Sequence, residues 1–130
     1  MSDAKLNLQS VGIVLDSKTI LDDVNLKIDT GEIVSLMGSS ASGKTSLIRS
    51  IAGFHNISSG VIQIDGHIVD DSIRRSDVAM RNVGVIFQDL ALFPHLTVRE
   101  NICFGLNNIE SAQQQNRAKK LEDLLDIENI

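Results

Sequence analysis

Two glycines, a lysine and a hydroxyl stand at fixed spacing in Gly38-Ser39-Ser40-Ala41-Ser42-Gly43-Lys44-Thr45, with Ser46 directly after. The run satisfies G-x-x-x-x-G-K-[ST], the pattern of a loop that wraps phosphate between a strand and a helix. Its flanks agree: residues 32–37 read as a short, mostly apolar strand, and residues 45–52 carry apolar side chains at helical spacing. Turning from strand to helix in so few residues calls on Gly38 and Gly43 for positive φ, or for close approach of the backbone to a ligand. The amides between them form a ring of donors, and the helix start adds unpaired N–H groups and the positive end of its dipole. Lys44 then carries a positive charge to the β and γ phosphates, and the Thr45 hydroxyl is placed to ligate Mg²⁺. A plain serine-capped connection would not favour lysine there, because a first-turn cation opposes the helix dipole.

The rest of the composition narrows the class. At 130 residues and 42% hydrophobic content, the chain reads as a single domain, 1–130, with a real core. Seventeen acidic against twelve basic residues give a net charge of −5 with no basic block, which argues against a nucleic-acid partner. The lone cysteine, Cys103, excludes an intrachain disulfide and reads as a small buried apolar residue in a reducing compartment. His55, His67 and His95 show no metal-ligand spacing with it. No signal-peptide pattern opens the chain and no apolar run approaches the ~20 residues of a membrane span. A cytoplasmic chain is expected, reaching a membrane only through a partner.

Along the chain, Leu6, Leu8, Val11, Ile13, Val14 and Leu15 suggest a first strand, a turn follows at Asp16-Ser17-Lys18, and Val24, Leu26 and Ile28 alternate onto one face of a second. Asp29-Thr30-Gly31 turns the chain toward the loop. After the helix, Gly53 is a natural stop, and Asp65-Gly66 between two apolar runs predicts a tight hairpin. Residues 70–81 read as a polar surface connection with some helical turns. Residues 83–87 read as a buried strand ending at Gln88. Thr97 and Glu100 form a capping box for a helix over 98–106. Ser111 is placed to cap another through about Leu125, with Ala118, Leu121, Leu124 and Leu125 on one face. The expected fold is α/β: a partial P-loop NTPase core with an N-terminal antiparallel β subdomain over about 1–88 and the beginning of a helical subdomain over about 89–130.

Four passages together resemble the nucleotide-binding domain of ABC transporters over essentially the whole chain: Thr19-Ile20-Leu21-Asp22-Asp23-Val24-Asn25-Leu26, the loop from Gly38 to Ser46, Ser58-Ser59-Gly60-Val61-Ile62-Gln63-Ile64-Asp65-Gly66, and the run from Val83 to Ile102. The form Phe93-Pro94-His95-Leu96-Thr97-Val98 is most similar to bacterial importers of the polyamine, sulfate, ferric-iron and thiamine group. The resemblance implies ATP and Mg²⁺ as ligands, and dimerisation with a second such domain. It implies a place on the inner face of the membrane when assembled. Gln88 matches the glutamine that in the family contacts Mg²⁺ and the attacking water. The residues after it imply a coupling surface against membrane subunits, and Leu92-Phe93-Pro94 is apolar enough for that role. Without the resemblance, the same stretch has a second reading as a loop tucked onto its own core.

Two departures follow. The family stacks an aromatic residue on adenine near the end of the first strand; the matching position is Leu15, which offers apolar cover and no ring. The family's signature motif, second acidic motif with its catalytic glutamate, aspartate loop and switch histidine fall beyond Ile130. The expectation is therefore ATP binding by Gly38–Ser46 with Gln88, metal contact by Thr45 and Gln88, no catalytic residue in this stretch, and no hydrolysis by it alone. A small P-loop kinase or GTPase is the competing enzyme class, although no arginine lid or guanine-selecting motif is present. A non-catalytic remnant that binds a partner through Phe93-Pro94 is the third reading.

Overall fold

The computed structural model describes residues 4–89, 91–106 and 109–127, and Leu90, within the run that carries the resemblance, lies outside them. The chain divides into two compact units, Met1–Val85 and Ile86–Ile130.

In the first unit, β1 (Ala4–Leu15) and β2 (Lys18–Asp29) form a long hairpin. Its tip residues Asp16 and Ser17 both have positive φ, 48° and 63°, as the two-residue turn that matches strand twist requires. β3 (Ser59–Ile64) and β4 (His67–Asp70) form a second hairpin over Asp65 and Gly66, at φ 51° and 74°, where the Asp-Gly pair predicts it. β3 pairs with β1, so the sheet is antiparallel throughout in the order β2-β1-β3-β4.

Two slips in the pairing decide which side chains are buried. Leu6 and Leu8 share a face, but Val11 is three residues beyond Leu8, and a regular strand would send it to the other side. β1 takes three steps from Leu8 to Val11 while β2 takes two, from Leu26 to Val24; from Val11 to Ile13 the extra residue is in β2. Ser10 and Asp23 absorb the bulges at φ 49° and 51°. The Ser10 N–H donates to Asn25 Oδ1 (2.8 Å), and Asn25 Nδ2 donates to the Asp23 carbonyl (3.0 Å). Side-chain hydrogen bonds from Ser10 and Asn25 hold the exposed Asp23 carboxyl below its ordinary range. With the slips in place, Leu8, Val11 and Ile13 join Ile62, Ile64 and Val69 in one buried cluster. Leu47 of helix α1 (Lys44–Ala52) and Ile57 complete it. Burying each such side chain stabilises the fold by roughly 1.5–3 kcal/mol.

Three expectations are corrected here. Residues 32–37 and 83–87 are not strands: Ile33 is 98% exposed and Ile86 fully so. A strand covered on both faces draws its stability from ladder partners on its edges and layers above and below, and neither run has a ladder partner among the described residues. The stretch after β4 does contain a 3-10 turn, Val78–Arg81, but its ends are not surface: Asp70 and Arg81 are each 2% exposed and paired, Arg81 Nη2 donating to Asp70 Oδ2 at 3.1 Å.

In the second unit, α2 (Val98–Cys103) starts at the capping box that Thr97 and Glu100 predict, and residues 104–106 continue as a 3-10 turn. α3 (Ser111–Leu125) has Glu110, not Ser111, at its N-cap position. Its buried residues are Ala118 and Glu122, while Leu121, Leu124 and Leu125 are exposed, which corrects the expected apolar face. On the buried side of α3, Glu122 is held by a two-pronged ion pair to α2, Arg99 Nε and Nη2 donating to its Oε1 (2.9 Å) and Oε2 (2.6 Å). Cys103 is half-buried.

Gly60 tests the bulge geometry. It sits at φ +85°, where a Cβ would run into the carbonyl oxygens of Gln9 and Ser10, whereas Gly66, at φ +74°, has open space. Thermal melting is expected to show Gly60→Ala losing more than about 3 kcal/mol and Gly66→Ala only about 1; equal losses would mean that the bulge does not set the cost. The capping box gives a pH signature. Backbone and side-chain hydrogen bonds from Thr97, with His95 nearby, hold the Glu100 carboxyl below its ordinary 4.5. The depressed value means that its contribution is present above pH 4.5 and is lost as pH falls through the folded-state value. The Thr97 amide resonance should report that acid transition, and it should vanish from the titration in Glu100→Gln.

Candidate functional site

The loop's geometry is set by how α1 begins. The first bond of the helix ladder is Leu47 N–H to Gly43 C=O at 2.9 Å, so the amides of Lys44, Thr45 and Ser46 precede the ladder. Gly43 occupies the N-cap at φ 88° and has no side chain to cap them, and the first turn holds no acidic residue. An uncapped, acid-free helix start suits an anion supplied from outside. Lys44 curls back over the loop, its Nζ donating to the carbonyls of Gly38 (2.8 Å) and Ser39 (2.6 Å) and to Ser42 Oγ (3.3 Å). That posture holds the ammonium against the Gly38–Ser42 stretch of the loop. The loop also closes on itself through Ser42 N–H to Ser39 C=O at 3.3 Å.

The glycines play different parts from each other. Gly43 requires its left-handed φ, and a Cβ there would meet Leu21 Cδ2 at 2.7 Å. Gly38 does not have positive φ; its lack of a Cβ makes room for Ser42 Oγ, which one would meet at 2.8 Å. The second left-handed residue of the loop is Ala41, at φ 62°. Ser39, Ser40, Ala41, Ser42 and Thr45 are exposed, and Ser46 is half-buried.

A concavity of about 340 Å³ opens over the loop. Leu21, Val24, Leu36 and Met37 form its apolar side, and Gly38, Ser39, Ser42, Gly43 and Lys44 its polar side. Val24 reads from its alternation with Leu26 and Ile28 as a strand-face residue, and Leu21, three positions away, would fall on the opposite face of a regular strand; the slip at Asp23 brings the two to one side, where Leu21 lies against Gly43. Leu15 stands elsewhere, half-buried against the core cluster and paired with Lys18 beside the hairpin turn.

Gln88 belongs to the second unit and is exposed in a bend. In that unit Leu92, Phe93 and Pro94 line an apolar concavity of about 610 Å³ together with Val98, Ile102 and Phe104. Leu92 is exposed, while the Phe93 ring lies against Phe104 with centroids 4.2 Å apart. Asn101 pins the loop. Its Oδ1 accepts from the Phe93 N–H (2.9 Å), and its Nδ2 donates to the carbonyls of Phe93, Leu96 and Thr97 at 3.0–3.1 Å. Among the described residues no group of three His, Cys, Asp or Glu side chains is placed to hold a metal ion. No helix among them is long and apolar enough to cross a membrane.

A G-x-x-x-x-G-K-[ST] loop that leads into an uncapped helix start is that of the P-loop nucleotide-binding class. Within that class the chain belongs to the ABC transporter family, whose sequence model matches residues 21–130. It is similar to a sulfate/thiosulfate import ATP-binding protein of Halalkalibacterium halodurans, 41% identical over 91% of this chain and 33% of the relative. It is similar also to an Fe(3+) ions import ATP-binding protein of Mannheimia succiniciproducens, 33% identical over 97% and 35%. A spermidine/putrescine import ATP-binding protein of Fusobacterium nucleatum is 44% identical over 82% and 27%. The chain thus spans about a third of the length of these relatives. Among solved structures it matches the ATP-binding cassette MJ0796, a dimer bound to ADP and Pi, with TM-score 0.78 and 26% identity over 95% of this chain and 58% of that one. Family and fold together place a nucleotide-binding P-loop domain in part, with the antiparallel sheet and the helical stretch that the sequence leads one to expect.

Gly43 gives the local test. Gly43→Ala adds a Cβ against Leu21 at a φ that alanine tolerates poorly, so it should lower stability by about 2–3 kcal/mol and shift the amide resonances of Lys44 and Thr45. Unchanged Lys44 and Thr45 resonances would show that Gly43 does not set the helix start.

Proposed function

We propose that this chain supplies the phosphate-binding part of an ATP-binding subunit of an ABC importer, the whole protein coupling ATP binding and hydrolysis to solute uptake. The observation that carries the reading is the start of α1, where three pre-ladder amides, no capping side chain and no acid meet a lysine held over the loop. Gly38, Ser39, Ser40, Ala41, Ser42 and Gly43 would embrace the β and γ phosphates, with Lys44 as the point charge on them. Thr45 and Ser46 close the ring from the first turn of the helix. A Mg²⁺ ion suits this donor set, since the Thr45 hydroxyl is exposed beside the phosphate position and hard oxygen donors match the ion. When bound, it would neutralise phosphate charge; Thr45 and Gln88 are the residues proposed to hold it. Leu21 and Val24 give the concavity an apolar wall, and Leu15 is the residue proposed to cover the base.

The relatives are named for different solutes, sulfate/thiosulfate, Fe(3+) and spermidine/putrescine. What this chain shares with all of them is the nucleotide end of the process. The pinned apolar loop of Leu92, Phe93 and Pro94 is proposed to dock membrane subunits, which would hold the protein at the inner face of the membrane. A second nucleotide-binding domain is proposed as the dimer partner.

Titration of the full chain with ATP and Mg²⁺, followed by calorimetry, should show saturable binding that Lys44→Ala weakens at least tenfold, the order expected for losing one charge-assisted phosphate contact. Equal affinity in Lys44→Ala would overturn the loop assignment, and a clear preference for GTP would move the reading to the small GTPase class.

A further inference from the structure

We propose that Arg81 is a positioning residue for the phosphate loop: by holding the last-turn carbonyls of α1 it fixes where the first-turn amides of that helix point. The proposal rests on the nucleotide-binding reading of the loop. The Arg81 side chain is fully buried, and every arm of its guanidinium is engaged. Nη1 donates to the carbonyls of Ser50 (2.8 Å) and Ile51 (3.1 Å), Nη2 to Asp70 Oδ2 (3.1 Å), and Nε to the Ser76 carbonyl (3.3 Å). Arg75 Nη2 adds a bond to the Gly53 carbonyl (3.0 Å) just past the helix. Gly53 is the left-handed C-cap, and a Cβ there would meet Arg81 Nε at 2.7 Å, so the helix end and the guanidinium are fitted to each other.

The site end of α1 is held differently, by apolar contact of Leu47 with the core and of Gly43 with Leu21 and by the bonds of the flexible Lys44 side chain to the loop, none of which ties the helix backbone to the sheet through a planar fork. Its N-cap is a glycine without a side-chain bond, and of the large apolar residues of the helix Leu47 is buried while Ile48 is exposed. Nine residues make a rod only about 13 Å long, so tilt or rotation at the C-terminal end reaches Lys44 and Thr45 undiminished. Asp70 ties the clamp to β4, and hence to the sheet. A buried ion pair is a poor route to stability alone, because well-packed apolar replacements are often as stable. What the planar fork supplies, and an apolar side chain cannot, is a fixed angle between helix and sheet.

The test separates stability from affinity in the full chain, with ATP affinity measured by calorimetry below each variant's melting point. Arg81→Lys keeps the charge and loses the fork; it should weaken ATP binding by about tenfold. Ile64→Val, which trims the core where β3 pairs with Leu6, at the other end of β1 from the Leu21 partner Ile13, should lower the melting point and leave affinity unchanged. The double variant Arg81→Met/Asp70→Leu fills the same space with apolar groups and should recover the melting point without recovering affinity. If Arg81→Lys fails to fold, the double variant decides alone. Wild-type affinity in either folded variant, or affinity that rises and falls with melting point across the set, overturns the proposal. No binding of ATP by the wild-type chain would overturn the nucleotide reading itself, a result distinct from both.

Discussion

The one-residue slip between Leu8 and Val11 in β1 is the constraint from which the first unit follows. Side chains on a strand alternate, so without the bulge at Ser10 the residues Val11 and Ile13 would face away from Leu8, and the buried cluster would be split across two faces of the sheet. The compensating bulge at Asp23 returns β2 to register and brings Leu21 under Gly43. The core and the floor of the phosphate loop therefore share one cause. Asn25 is the fastener, taking the Ser10 amide and giving its own amide to Asp23, so two left-handed residues that are each unfavourable alone are held by one carboxamide.

Features that rest on neighbours within a few residues were legible in the sequence. The spacing from Gly38 to Thr45, the Asp65-Gly66 turn, the Gly53 stop and the Thr97–Glu100 capping box each express a local backbone requirement, and residue type states that requirement directly. Features that depend on distant partners were not. Arg81 lies 11 residues from Asp70 and Arg99 lies 23 from Glu122. For Arg81, Asp70 and Glu122 charge reads as exposure until the partner's position is known. The leucines of α3 are a similar case, since helical spacing identifies a stripe but not whether a neighbouring element covers it. Residues 32–37 and 83–87 have the composition of covered strands, yet composition provides no ladder partner. At the site, the lysine and the need for glycine at Gly43 were readable. That Ala41 would take the second left-handed position, and that Leu21 and Val24 would form a wall, depended on the slips in register.

The first unit also shows how polar and apolar burial divide their work. The cluster around Leu8, Ile13 and Ile62 supplies non-directional stabilisation, in which neighbours can shift slightly at little cost. The Arg81–Asp70 pair and its carbonyl partners are directional, and removing one member leaves the other buried without its counter-charge, at a cost of about 3–5 kcal/mol. Such a network tolerates few geometries, which suits the end of a helix whose other end opens from the loop of Gly38 to Gly43.

Asn101 carries a comparable burden in the second unit, with four hydrogen bonds that set the path of the backbone from Phe93 to Thr97. A loop with exposed apolar residues ordinarily retains many conformations and must surrender them when something settles upon it. Here the surrender has already happened during folding, because one carboxamide has narrowed the loop to a single course. A partner binding at that surface, as proposed, would retain more of its contact energy as affinity, since the ordering entropy was lost before the encounter.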